Sequence, residues 1–393
     1  MDSAAMLPVA AALVLGALAT ALDSTSMLPV VAAVLGTLAA SVAALRWYLC
    51  QPMEHIETGA QRRALYPLGS PINLSSKEAC ASEGVKISQQ IIVLADGTQM
   101  FSQVLRPTAC TPNRVVVFFH GYTSHGDLYL EALCDLAREG AVVLVPDLPC
   151  HGRSDGLLAY IPDWFAWVDQ VWEFLGQTVP PLRAAGKQPL KVFAMGLSMG
   201  GGLVACLSLQ RPAFFDGLIL VAPMLMVSEE LKPSKLIQEI FKYVLKPALP
   251  AWPLTPSKPM EDFDFRLKEQ GRRFTEFNSL GSRGCKPRLA TAYEFVFVFP
   301  IWLEKRLHQL QTPFLVLHGA ADKITDPKLS QRLYDVASSK DKQIRIYEDA
   351  RHCELLSCVP GMAQVIETEW LPEQLQQTKT CIRDIAEWVA ARS

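Results

Sequence analysis

Lys191-Val192-Phe193-Ala194-Met195-Gly196-Leu197-Ser198-Met199-Gly200 is the stretch on which the fold turns. Residues 191–195 form an apolar run of strand length. From Gly200 to Cys206 the chain continues as a helix rich in small side chains. A strand that passes into a helix through a glycine-flanked serine makes a sharp turn with the hydroxyl exposed above the sheet. The glycines let strand and helix approach without a Cβ clash. The amide of Met199 then lies at the positive end of the helix, where a developing oxyanion is stabilised. The plain alternative is a Gly/Ser turn that only starts a helix. It is set aside because this segment has partners elsewhere in the chain.

Upstream, residues 90–94 and 100–105 around Asp96-Gly97 read as a hairpin. Residues 115–119 are apolar throughout, 127–139 are helical in period, 141–146 are again apolar, and 164–178 are helical with Trp and Phe on one face. Residues 217–221 are a further strand. Short runs that are apolar throughout indicate strands covered on both faces. Helices between them indicate a mostly parallel sheet with right-handed crossovers, hence an α/β fold.

The alternation stops at Met224. Residues 236–245 and 289–307 look helical and flank a proline-rich stretch at 247–259. Strands resume at 313–317 and 344–347, and a last helix covers 381–391. The division expected is a core at 89–223, a helical cap at 224–309 over the carboxyl ends of the strands, and a second part of the core at 310–393.

Ser198 needs a base. Of the seven histidines, His352 is the best placed, beyond the last expected strand in a loop that returns to the carboxyl edge of the sheet. Asp322, which follows the strand at 313–317, is expected to orient it and to stabilise the imidazolium. Asp326 is a rival four residues on, and Asp349 lies too close to the histidine's own loop. His55 and His308 read as surface residues, His120 and His318 as structural. The chain order serine, acid, histidine is that of a sheet with a nucleophile elbow. The segment Phe118-Phe119-His120-Gly121-Tyr122 ends an early strand, so the amide of Tyr122 is expected to join that of Met199 around an oxyanion. Residues 147–156, Asp-Leu-Pro-Cys-His-Gly-Arg-Ser-Asp-Gly, read as a tight hydrogen-bonded turn, with a direct substrate role for Arg153 as the lesser alternative.

Lys and Arg total 37 against 39 Asp and Glu, so no basic footprint for nucleic acid exists. No H-x-x-x-H or CxxC pattern suggests a metal, and no cofactor is expected. The ten cysteines do not form a disulfide framework. Oligomeric state is not legible. Residues 1–49 contain two apolar runs, 6–22 and 27–45. The second would cover roughly 28 Å as a helix, near the hydrocarbon thickness of a bilayer. One or two transmembrane spans are expected, with a cleaved signal as the alternative. Arg46, Arg62 and Arg63 follow the second run and would place the catalytic part on the cytoplasmic side of a membrane anchor. Residues 50–88 read as a polar linker.

Taken together, residues 90–391 resemble the monoacylglycerol lipase/lysophospholipase-like branch of the α/β-hydrolases, a serine aminopeptidase-type hydrolase domain. The resemblance rests on Phe119-His120-Gly121, Asp147 through Gly156, Gly196 through Gly200, Val221-Ala222-Pro223-Met224, Lys286-Pro287-Arg288, Thr291-Ala292-Tyr293, Leu317-His318-Gly319 and Asp322-Lys323-Ile324-Thr325-Asp326. It implies an α/β-hydrolase fold with Ser198, Asp322 and His352 as the triad and the amides of Tyr122 and Met199 as oxyanion donors. It also implies a helical cap over an acyl-chain tunnel and metal-free hydrolysis of monoacylglycerols, lysophospholipids or related small esters. One plant group of that branch acts on a hydroxycinnamoyl ester. An acyltransferase, an amidase or a silent hydrolase-fold binding protein are the rival readings.

Overall fold

The computed structural model describes residues 36–37, 40–41, 57–70, 84–186, 188–226, 235–253, 255, 262–281 and 286–393. The elements labelled below lie in the unit Glu54–Ser393. It opens with helix α1 (Gly59–Leu65), started by a capping box in which Thr58 and Gln61 satisfy each other's free backbone groups. This helix falls within the residues read as a linker. Arg62 is buried, and its guanidinium donates to the carbonyls of Glu57, Gly152, Ser154 and Gly156. The helix is thereby fastened to the turn that follows the fourth strand.

Eight strands follow in one sheet of order β1-β2-β4-β3-β5-β6-β7-β8. β1 (Val85–Val93) and β2 (Gln99–Pro107) form an antiparallel hairpin that joins β4 (Ala141–Pro146) antiparallel. β3 (Arg114–Phe119), β4, β5 (Lys191–Leu197), β6 (Gly217–Val221), β7 (Phe314–Gly319) and β8 (Lys342–Tyr347) pair in parallel. Helices α2 (Leu130–Arg138), α3 (Trp164–Arg183) and α4 (Met199–Gln210) link them, leaving β3, β4 and β6 buried along their whole length. Two apolar clusters lie on opposite faces. One has Val116, Phe118, Met195 and Ile219 on α2 and the C-terminal helix. The other has Val117, Phe119, Ala194 and Leu220 on α3 and α4. The α/β sheet read from the sequence is therefore observed.

Between β6 and β7 the described residues form helices and no strand. α5 (Lys235–Ile240) runs on through a π-helical turn, Phe241–Leu245. α6 (Lys268–Phe277) follows, then α7 (Leu289–Tyr293), a second π-helical turn at Glu294–Val298, and α8 (Phe299–Glu304). This insertion rests on the core through aromatic stacking of Phe299 on Trp164, 4.0 Å between centroids. Two hydrogen bonds add to it, Thr291 Oγ1 accepting from Ile161 N at 2.8 Å and Asn278 Nδ2 donating to Thr123 O at 3.0 Å. After β7 come α9 (Pro327–Val336), and after β8 come α10 (Glu354–Ser357), α11 (Pro360–Val365) and α12 (Pro372–Ala390).

One expectation is corrected. Among the described residues no helix is long and apolar enough to cross a membrane. The transmembrane spans at 6–22 and 27–45, membrane association through that segment, and a membrane-anchored placement with the catalytic part facing the cytoplasm are withdrawn with it. A span needs about 20 consecutive apolar helical residues. The two longest described helices instead carry charged faces, Asp169, Glu173 and Arg183 on α3 and Glu373, Lys379, Arg383, Asp384 and Glu387 on α12. Residues 6–22 lie outside the described residues. Of 27–45 only Gly36, Thr37, Ala40 and Ser41 lie within them, as helix. The cysteines do not read as a disulfide framework, and Cys134 is disulfide-bonded.

Candidate active site

Ser198 joins β5 to α4 with φ 56° and ψ −117°. A residue with a Cβ is strained there, and such strain persists only where the surroundings over-determine it. The surroundings here are backbone. Ser198 N donates to Val221 O at 2.9 Å, and its carbonyl accepts from Gly202 N at 3.1 Å and Met224 N at 2.9 Å. A Cβ on Gly196 would lie 2.2 Å from Gly200 O, and one on Gly200 would lie 2.1 Å from Phe119 O. Only glycine at both positions permits this crossing. Ser198 is half-buried while residues 192–197 and 199–208 are buried.

The turn after β3 passes directly beside this serine. A Cβ on Gly121 would meet Ser198 Cβ at 3.4 Å. His120 is buried and structural. Its Nε2 accepts from Leu148 N at 2.9 Å, which leaves Nδ1 to donate to Gly121 O at 2.8 Å. Burial keeps the ring neutral, its pKa lowered to about 3. Tyr122 is half-buried, and its hydroxyl donates to Ala159 O at 2.9 Å. Met199 is the first residue of α4, so its N–H belongs to the free, positive end of that helix.

Asp322 and His352 meet directly, with His352 Nδ1 2.6 Å from Asp322 Oδ2 and both side chains buried. The Asp322 carboxylate is saturated with donors. Ile324 N and Thr325 N reach Oδ1 at 2.8 and 3.0 Å, while the Thr325 hydroxyl and His318 Nε2 reach Oδ2 at 2.9 and 3.2 Å. Burial alone would raise its pKa. The charge of His352 and the hydrogen bonds from His318 and His352 outweigh burial and hold it well below the usual carboxylate range. For His352, burial opposes the charged ring. The charge and hydrogen bond of Asp322, followed by the charge of Asp264, win and raise its pKa above the ordinary value. With Nδ1 occupied by Asp322, Nε2 is the nitrogen left for chemistry.

Serine and histidine are joined through backbone. Ser198 N is bonded to Val221 O, and the next carbonyl, Ala222 O, lies 3.1 Å from the Thr325 hydroxyl, which stands 3.2 Å from His352 Nδ1. No hydrogen bond connects Ser198 Oγ to His352 among the described residues. Such contacts are commonly long in an unliganded site and tighten with substrate.

The rival acid, Asp326, caps α9 by accepting from Lys328 N at 2.9 Å. Asp349 is exposed, with φ 59°. Arg153 does not face a substrate. It is buried, pairs with Asp127 at 2.9 Å and lies over the ring of Phe101 at 3.6 Å. The Asp147 carboxylate accepts from Gly126 N and Arg153 N, both at 2.8 Å, so the turn is a closed hydrogen-bonded unit. Sequence reading did not single out Thr325. The only signal for it is its place between Asp322 and Asp326.

Residues 111–357, more than half of the chain, match the family model Hydrolase_4, described as serine aminopeptidase, S33. Human monoglyceride lipase is 26% identical over 303 residues, covering 77% of this chain and 90% of that protein. Caffeoylshikimate esterase of Arabidopsis thaliana is 27% identical over 311 residues, covering 77% and 91%. A solved soluble variant of monoglyceride lipase from Saccharomyces cerevisiae, in complex with a substrate analog, shares the fold. Its TM-score is 0.63 at 18% identity, with 78% of this chain and 95% of that one covered. The resemblance drawn from the motifs is thus borne out: the chain belongs to the serine aminopeptidase S33 family of α/β-hydrolase-fold enzymes and is a carboxylic ester hydrolase of the monoglyceride-lipase-like kind.

Proposed function

We propose that this enzyme cleaves carboxylic esters of lipids, monoacylglycerols or lysophospholipids foremost, with Ser198 as nucleophile, His352 as base and Asp322 as its orienting acid. The observation that carries this reading is the buried 2.6 Å contact between Asp322 and His352 beside a serine held at φ 56°. His352 Nε2 takes the proton as Ser198 Oγ attacks the ester carbonyl. The oxyanion sits against the amides of Met199 and Tyr122. The C–O bond then breaks, and the alcohol leaves with the proton from His352. Water, deprotonated by the same nitrogen, attacks the acyl-enzyme and releases the acid.

The helical insertion supports an acyl substrate. Its Phe295 packs edge-on to Tyr122, in the turn beside Ser198, at 5.0 Å between centroids, while Phe299 is buried on Trp164. Each buried methylene of an acyl chain contributes about 0.8 kcal/mol, so even a partly enclosed chain binds well. The pairing of Tyr122 with Phe295 also favours a second reading, an aromatic acyl group such as a hydroxycinnamoyl ester, which would stack on these rings.

A panel separates these. Monooleoylglycerol, lysophosphatidylcholine, a caffeoyl ester and an aminoacyl amide are offered to the wild type and to Ser198→Ala. The expected result is hydrolysis of the lipid esters and a drop to background in the variant. Preference for the caffeoyl ester would establish the second reading. Cleavage of the amide alone, or undiminished turnover by Ser198→Ala, would overturn the proposal.

A further inference from the structure

The loop that carries His352 is gripped from the helical insertion, and neither motif nor family description assigns the residues that do it. Both amides flanking the histidine are held. Arg351 N donates to Glu354 Oε2 at 3.0 Å, and Cys353 N donates to Asp264 O at 3.1 Å. Asp264 begins a short segment of the insertion, and two residues on Arg266 closes on the same carboxylate. Arg266 N reaches Glu354 Oε1 at 2.7 Å and Arg266 Nε reaches Glu354 Oε2 at 3.0 Å. Phe265, between them, is buried against Phe274 and Trp370, at 5.2 and 5.4 Å between centroids. Glu354 is completely buried and also accepts from Gln374 Nε2 of α12 at 2.7 Å. A carboxylate with this many partners is a junction where the base loop, the insertion and the last helix meet.

We infer that Arg266 and Glu354 are positioning residues for His352, fastening the insertion to the base loop so that the imidazole stands in its working place only while the segment at Asp264–Arg266 is docked. The inference rests on the reading of His352 as base. It adds that the insertion is part of the catalytic geometry as well as a wall for substrate. A displacement of about 1 Å at a reacting group can cost roughly a hundredfold in rate. The clamp also sets which charges surround the imidazole. These are Asp322, with His318 behind it, from β7 and the loop after it, and Asp264 from the insertion, with Arg266, Arg351 and Glu354 around the loop itself and the neutral thiol of Cys353 beside it. Asp264 is among the charges that raise the affinity of His352 for its proton. Activity requires the neutral ring, so the acid limb of the wild type lies above the ordinary histidine value of about 6.5. Loss of the anionic side of the clamp, Glu354, moves that limb down.

The test uses the full chain with p-nitrophenyl butyrate and monooleoylglycerol. Arg266→Gln and Glu354→Gln should each lower kcat about 10- to 100-fold with KM within about twofold, and Glu354→Gln, which removes an anion, should shift the acid limb of kcat/KM to lower pH. Arg266→Lys, which restores the charge without the fork, should recover part of the loss. If Glu354→Gln fails to fold, the two Arg266 variants decide, because that side chain reaches the surface at 17% exposure. Folded Arg266→Gln with wild-type kcat, or with loss confined to KM, overturns the inference. Labelling of the wild type by a fluorophosphonate separates the two levels. An unlabelled wild type removes the catalytic reading itself, whereas a labelled wild type with unaffected variants removes the clamp alone.

Discussion

The two halves of the site are built by opposite means. Ser198 is held by main chain, through three backbone hydrogen bonds, two glycines and a φ of 56°, with no side-chain cap. His352 is held by side chains. Asp322 and Thr325 of the loop after β7 reach its ring, His318 at the end of β7 backs Asp322, and Glu354, two residues on, holds the amide before it. The nucleophile is a property of a local pattern, strand, glycine, serine, glycine, helix. The base is a property of a network assembled on folding. A backbone device fails by misfolding when disturbed, because there is nowhere for a Cβ to go. A side-chain network fails chemically, with the fold standing.

Four substitutions put that contrast to the test. The largest chemical effect is expected at Asp322→Asn. It keeps the shape but lets the wrong tautomer form, so kcat should fall by roughly 10³- to 10⁴-fold with the thermal midpoint little changed. Asp326→Asn, measured beside it, should stay within about twofold, since that carboxylate only caps α9. Loss confined to the second would reverse the assignment. Gly200→Ala should act through folding. Its Cβ would sit 2.1 Å from the carbonyl oxygen of Phe119, and backbone cannot yield cheaply, so about 3 kcal/mol of stability or more should go. A thermal melt that leaves the midpoint in place would show that the elbow has slack. The smallest effect is expected at Thr325→Val, which removes the hydroxyl whose one proton is shared between the Asp322 carboxylate and Ala222 O, costing about tenfold in kcat/KM.

The same contrast explains what could be read in advance. β3, β4 and β6 were legible because every residue in them is buried, so the apolar runs coincide with the strands. The proposed triad, Ser198, Asp322 and His352, was read from places after strands. Helix α6, Lys-Glu-Gln-Gly-Arg-Arg-Phe-Thr-Glu-Phe, gave no signal, because two of the three positions it buries are Gln270 and Gly271. The first residues of β1 were taken for linker because this edge strand alternates Val85, Lys86, Ile87, Ser88 and is only half-covered. Helix α1 was likewise hidden in polar sequence. What anchors it is an arginine buried among carbonyls, which no hydropathy pattern marks. Nothing in the sequence marks Glu354 and Arg266 as partners. Their pairing spans 88 positions and exists only once the insertion has docked.

The most direct measurement is to label the full chain with a fluorophosphonate and locate the adduct by mass spectrometry, in the wild type and in His352→Ala. A single adduct on Ser198, formed in the wild type and slowed at least a thousandfold in the variant, is the outcome predicted. An adduct on another serine, or labelling of Ser198 at the same rate without the imidazole, would contradict the account.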